Sequence, residues 1–149
     1  MDVLTKEQRR LNMRRIRAKN TKPEMRVRRG LHAAGFRYKL HDKSLPGKPD
    51  IVLPKYKCVI FVNGCFWHGH ECALFRWPKE NRSFWENKIR GNRRRDRINE
   101  MKVESLGWRI IVIWECSFKG RQKYSGEELI FEVASLIKSD SPFSEIKGR

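Results

Sequence analysis

Acidic residues are scarce in this chain: 17 Asp and Glu stand against 34 Lys and Arg, a formal net charge of +17. Such an imbalance points to a polyanion, most often nucleic acid. No apolar run is long enough to span a bilayer and no signal-peptide pattern is seen, which sets aside an acidic membrane surface as the partner. Internal repeats and low-complexity segments are missing too, apart from basic clustering. Cysteines number only four: Cys58, Cys65, Cys72 and Cys116. They could form two disulfides, but the cytoplasmic setting expected for this chain and the neighbouring histidines argue for metal.

What is present is unevenly placed. Residues 1–40 hold thirteen basic and three acidic residues, and residues 79–102 hold nine and four. Two basic blocks flanking an apolar middle fit a binding surface better than solubilising tails. The 149 residues make about one domain, large enough to bury a core without disulfides.

Thr5 to Gln8 reads as a capping box opening a basic helix through Lys19. In "TKPEMRVRRGLHAAGF", Thr21 can cap a second helix, Glu24 can close the box, Pro23 suits the first turn and Gly35 stops it. "FRYKLHD" reads as a strand, "SLPGKP" as a turn, and "DIVLP" and "KCVIFVN" as strands joined at Pro54 to Tyr56. Ser83 and Glu86 form a further capping box, opening a long helix that ends near Gly107. "WRIIVIW" is a strand buried on both faces, and "GEELIFEVASLIK" a last amphipathic helix. The expected architecture is α/β, with a mixed central sheet flanked by helices. One domain spans residues 1–140, with a basic arm at 1–20 and a frayed tail at 141–149.

Cys65, His70 and Cys72 form C-x4-H-x-C. If "WRIIVIW" lies beside "KCVIFVN", Cys116 arrives near Cys65. Three thiolates and one imidazole make a closed tetrahedral zinc set. The competing reading is three buried thiols and a surface histidine. Cys58 lies inside a strand and reads as core. A closed site leaves no open position for water, so this zinc would be structural and chemistry would come from other residues.

Asp50 follows Pro49 at the entrance of an apolar strand. Taken alone it reads as a turn residue. With a second strand about a dozen residues on, it has the layout of nucleases that bind Mg²⁺ through the Asp, and the Val62 carbonyl offers a second oxygen. Glu24 shares the apolar helix face with Val27, Leu31 and Ala34, so it faces inward or serves the capping box. Asp96 either pairs with its arginine neighbours or holds a histidine in one tautomer. His68 can act as a base, compete with His70 as a ligand, or lie on the surface. Phe66 and Trp67 sit among the ligand residues; they pack inward, or they stack on or between bases. Trp85 and Met13 are further candidates for that work.

These residues resemble the very short patch repair DNA mismatch endonucleases. The marks are "LPGKPDIVLP", "CVIFVNGCFWHGHECALF", "FWENKI" and "RRRDR", and the match runs from Asn12 to Arg121. The resemblance implies a restriction-endonuclease-like core and Mg²⁺-dependent nicking beside the thymine of a T:G mismatch, such as 5-methylcytosine deamination leaves. It implies Asp50 and the Val62 carbonyl as Mg²⁺ ligands, His68 as the base oriented by Asp96, and Glu24 as a further active-site carboxylate. It also implies Cys65, His70, Cys72 and Cys116 as the structural Zn²⁺ set, and Phe66, Trp67, Trp85 and Met13 as DNA-wedging residues. The expected partner is T:G-mismatched duplex DNA, bound by a monomer, with mismatch-repair proteins as further candidates. Two departures stand out. Val62-Asn63 replaces a Thr-His found in some members, so Asn63 offers a hydrogen bond to phosphate rather than an imidazole. The Glu-x-Lys element of the wider nuclease fold is absent, which places more weight on His68. The alternatives are a non-catalytic basic zinc module for nucleic acid and a related nuclease of other specificity.

Overall fold

The computed structural model describes residues 21–148. The expected first helix, the 1–20 arm and Met13 therefore lie outside the described residues. Helix α1 spans Lys22–Ala33 and begins as its sequence dictates: Thr21 accepts the Glu24 N–H, with Pro in the first turn. Gly35, at φ 97°, lets the chain turn away after it. Glu24, Val27 and Leu31 form the buried face.

Five strands follow the order β1-β2-β3-β4-β5 across one sheet. They are β1 (Lys39–Leu40), β2 (Ile51–Leu53), β3 (Cys58–Asn63), β4 (Arg109–Trp114) and β5 (Phe143–Ile146). The β1–β2 and β2–β3 pairs are antiparallel, whereas β3–β4 and β4–β5 are parallel. The long helix α2 (Arg82–Ser105) links β3 to β4, and α3 (Gly126–Lys138) links β4 to β5. The sheet is mixed and flanked by helices, as expected.

The strands are apolar on both faces because both are covered. Ile111 and Ile113 of β4 pack with Val27 and Leu31 of α1 and with Leu129 and Val133 of α3. Ile110 and Val112 point the other way, into a second cluster with Val103 of α2. Gly30 lets α1 approach α3 closely: a Cβ there would stand 2.3 Å from Ile130 Cδ1.

Three expectations change. The tail does not fray: Phe143–Ile146 forms β5, with Ile146 buried. Pairing with β4 satisfies backbone groups that would otherwise form an open sheet edge. The long helix is not opened by a Ser83–Glu86 box; it starts at Arg82 after Asn81 in the left-handed region, with no side-chain cap. Glu86 instead meets Arg82 Nε at 2.9 Å, one turn away. The "FRYKLHD" strand shrinks to two residues, because His41 turns left-handed at φ 46°.

Candidate active site and thiolate cluster

The antiparallel hairpin of β2 and β3 pairs Ile51 with Ile60 and brings Asp50 beside Val62. The Val62 N–H donates to Asp50 Oδ2 at 2.7 Å. From α1, Glu24 reaches the same place; it is 1% exposed. Its Oε2 lies 2.8 Å from His41 Nε2 and 3.2 Å from Arg28 Nη1. Of the two readings of Glu24, the inward one describes its carboxylate. Ligand atoms of Glu24, His41 and Asp50 all fall within 4.8 Å of one another.

Burial drives the Asp50 carboxyl from its ordinary 3.8 up to about 6, opposed by the Val62 N–H and reinforced by the Glu24 charge. Two carboxyl groups in contact repel when both ionise, and a divalent cation relieves that repulsion. The donors present therefore fit such an ion.

His41 is the residue that sequence reasoning missed. Leu40 pairs with Ile51, so His41 falls opposite Asp50, and the His41 N–H donates to the Asp50 carbonyl at 3.2 Å. Pairing the "FRYKLHD" and "DIVLP" strands across "SLPGKP" would have exposed this register.

His68 stands on the loop after β3. Asn92 of α2 donates to the Trp67 carbonyl at 2.8 Å and holds that loop down. Gly69 has φ 61°, and a Cβ there would lie 2.5 Å from Ile89 Cγ2. The loop so placed sets His68 Nδ1 2.5 Å from Asp96 Oδ2 on α2. Asp96 therefore holds a histidine. With Nδ1 carrying the proton toward the carboxylate, Nε2 is left as an acceptor.

Asp50, Val62, Asn63, His68 and Asp96 line one cleft of about 260 Å³. A neighbouring cleft of about 430 Å³ is bordered by Asn63, His68 and Asp96 again, where Arg93, Arg97 and Lys147 stand among Glu71, Glu100 and Glu145. The His68–Asp96 pair thus lines both clefts, and so does Asn63, buried at the end of β3.

Parallel pairing of Asn63 with Trp114 puts Cys65 and Cys116 each two residues past the paired ends. His70 Nδ1 lies 3.5 Å from Cys65 Sγ and 3.7 Å from Cys116 Sγ. In a tetrahedral zinc set the sulfur–nitrogen separation is about 3.6 Å. Cys72 completes a group whose ligand atoms lie within 4.8 Å of one another. Burial pushes the Cys65 and Cys116 thiols up and the His70 imidazole down, keeping the imidazole neutral. A dication would reverse the thiol shift. The His70 ring stacks on Trp114 at 4.1 Å, and the Gly148 N–H donates to Cys116 Sγ at 3.2 Å. Cys58 stands apart in the core, its thiol raised to about 11 by burial.

Phe66, Trp67 and Trp85 form a half-buried aromatic group outside both cores, with ring centroids 5.3–5.8 Å apart. The loop carrying His68 and His70 carries two of them. No helix among the described residues is long and apolar enough to cross a membrane.

The chain is similar in sequence to known DNA endonucleases. The family described as DNA mismatch endonuclease Vsr matches residues 1–74. The DNA mismatch endonuclease Vsr of Escherichia coli is 40% identical over 145 residues, covering 97% of this chain and 93% of that protein. The type II nicking enzyme V.XorIIP of Xanthomonas oryzae is 49% identical over 115 residues, covering 77% and 85%. V.NmeAIP of Neisseria meningitidis, also a type II nicking enzyme, is 48% identical over 120 residues, covering 80% and 86%. The chain belongs to the Vsr DNA mismatch endonuclease family: it is a DNA endonuclease, and DNA is its partner.

Proposed function

We propose that this endonuclease nicks duplex DNA beside the thymine of a T:G mismatch, in a Mg²⁺-dependent hydrolysis that serves very short patch repair of deaminated 5-methylcytosine. The observation that carries it is one cleft lined by Asp50 and by His68 held on Asp96.

Asp50 and the Val62 carbonyl would hold Mg²⁺, with Glu24 nearby. Mg²⁺ at that position supplies polarisation of the scissile phosphate and stabilisation of its developing charge. His68 Nε2 accepts the proton of the attacking water, and Asp96 steadies the imidazolium that forms. Asn63 donates to a phosphate oxygen. Phe66, Trp67 and Trp85 enter the mismatched step, where unstacking is cheapest. Met13 enters from the other side, on a DNA-contacting arm at residues 1–20. Cys65, His70, Cys72 and Cys116 hold a structural Zn²⁺ that stiffens the wedge loop. The fold is a restriction-endonuclease-like core acting as a monomer in the cytoplasm, and mismatch-repair proteins are candidate further partners.

A second reading, a nuclease of related but different specificity, is favoured by the names of two relatives, both type II nicking enzymes. The test uses duplexes differing in one base pair, T:G against C:G, with and without Mg²⁺. Nicking of T:G alone, only with Mg²⁺, is the expected result. Cutting both duplexes would favour the second reading. Salt-sensitive binding without any cut, across several sequence contexts, would leave a non-catalytic zinc module.

A further inference from the structure

We infer that His41 is a direct ligand in the Glu24–Asp50 site, making it a mixed carboxylate–imidazole centre that holds Mn²⁺ more tightly than Mg²⁺. The inference rests on the reading of Asp50 as a metal ligand and adds a residue to it.

Three observations carry it. The three side chains come from three separate elements, α1, the end of β1 and the start of β2, yet offer ligand atoms within 4.8 Å of one another. His41 Nε2 and Glu24 Oε2 are hydrogen-bonded at 2.8 Å, and that separation is close to the roughly 3.0 Å between adjacent octahedral ligands at 2.1 Å from one ion, which would take the place of the shared proton. The His41 backbone is held in the left-handed region at φ 46°. That conformation is costly for a residue with a Cβ, which points to a position fixed by its surroundings.

The ion class follows from the donors. Mg²⁺ prefers an all-oxygen octahedron and gains little from an imidazole. Mn²⁺ shares the carboxylate preference of Mg²⁺ but, as a first-row transition ion, also accepts a nitrogen donor, so a site of two carboxylates and one histidine favours Mn²⁺ over Mg²⁺.

The test is Mn²⁺ binding to the zinc-loaded protein without DNA, followed by pulsed electron paramagnetic resonance. Bound Mn²⁺ should show nitrogen coupling that disappears in His41→Asn and persists in His68→Ala. Asparagine tolerates the left-handed backbone and is too short to reach the carboxylates, and circular dichroism checks that the variant folds. In the same variant Mn²⁺ affinity should fall by about tenfold or more, and Mg²⁺ affinity by clearly less. Mn²⁺ bound in an Asp50-dependent way without nitrogen coupling overturns the role of His41. No Mn²⁺ binding while Mg²⁺-dependent nicking of T:G continues overturns it as well and leaves the proposed function standing. Failure of both metal binding and nicking overturns the two together.

Discussion

His68 Nδ1 and Asp96 Oδ2 lie 2.5 Å apart, although 28 residues separate them in the chain. One comes from a loop after β3 and the other from the middle of α2. The contact depends on Gly69 letting the loop press against that helix. A base oriented in this way loses power when its orienting group is neutralised. Asp96→Asn is expected to slow nicking by about 10²–10⁴-fold, with duplex binding nearly unchanged. Single-turnover rates and a binding titration on the same substrate check this; an unchanged rate would remove Asp96 from the mechanism.

Asp50 gives a stability prediction with a definite sign. Its pKa rises from 3.8 to about 6 on folding because burial disfavours the charge. Between about pH 4 and 6 the folded chain therefore holds a proton that the unfolded chain has released, and stability falls as pH rises. The gap corresponds to about 2–3 kcal/mol. Glu100, raised by burial to about 7, adds a slope of the same sign. Asp50→Asn should abolish nicking yet raise the melting temperature of the metal-free protein at pH 8 by about 5 °C. At pH 4 the two proteins should melt alike. A variant that melts lower than the parent at pH 8 would contradict this account.

The thiolate cluster should carry one zinc ion per chain, measurable by elemental analysis. Cys116→Ala breaks the group and also removes the acceptor of the Gly148 N–H. It should abolish zinc binding and lower the melting temperature by about 10 °C or more, at roughly 2–4 °C per kcal/mol for a chain of this size. A protein that keeps its stability after zinc removal would show the thiols packing as core.

Phe66 and Trp67 are expected to act on DNA rather than on the fold, since neither belongs to the buried clusters. Replacing either by Ala should cut the preference for T:G over C:G by about tenfold to a hundredfold, the scale of one lost base stack. A fluorescent base analogue beside the mismatch should brighten on binding the parent protein and stay dim with the variants. Equal brightening would assign the wedge to other residues.

Gly69→Ala couples the two halves of the site. The added methyl meets Ile89 and Arg93 at a backbone angle that favours glycine. The expected cost is about 2–4 kcal/mol. Zinc content and nicking should fall together, because His68 and His70 flank the same residue.

Much of this protein is legible in its sequence, and the legible parts are local. The cap at Thr21, the buried stripe of Glu24, Val27 and Leu31, and the doubly buried β4 each follow from periodicity or side-chain chemistry within a few residues. The association of Cys65, His70, Cys72 and Cys116 needed one step more: the assumption that β3 lies beside β4, which their pairing satisfies. Other features depend on how distant segments meet. Phe143–Ile146 looks like tail until β4 offers it an edge to pair with. His41 reads as one more residue of the "FRYKLHD" strand until the β1–β2 register sets it against Asp50. Asp96 had charged neighbours in sequence that were equally good partners, and only the docking of α2 on the loop after β3 chose His68. Local sequence determines which elements form and which faces are apolar, because those terms act over one or two turns. Register and docking select partners by geometry summed over the whole core, and that is decided only when the chain is folded.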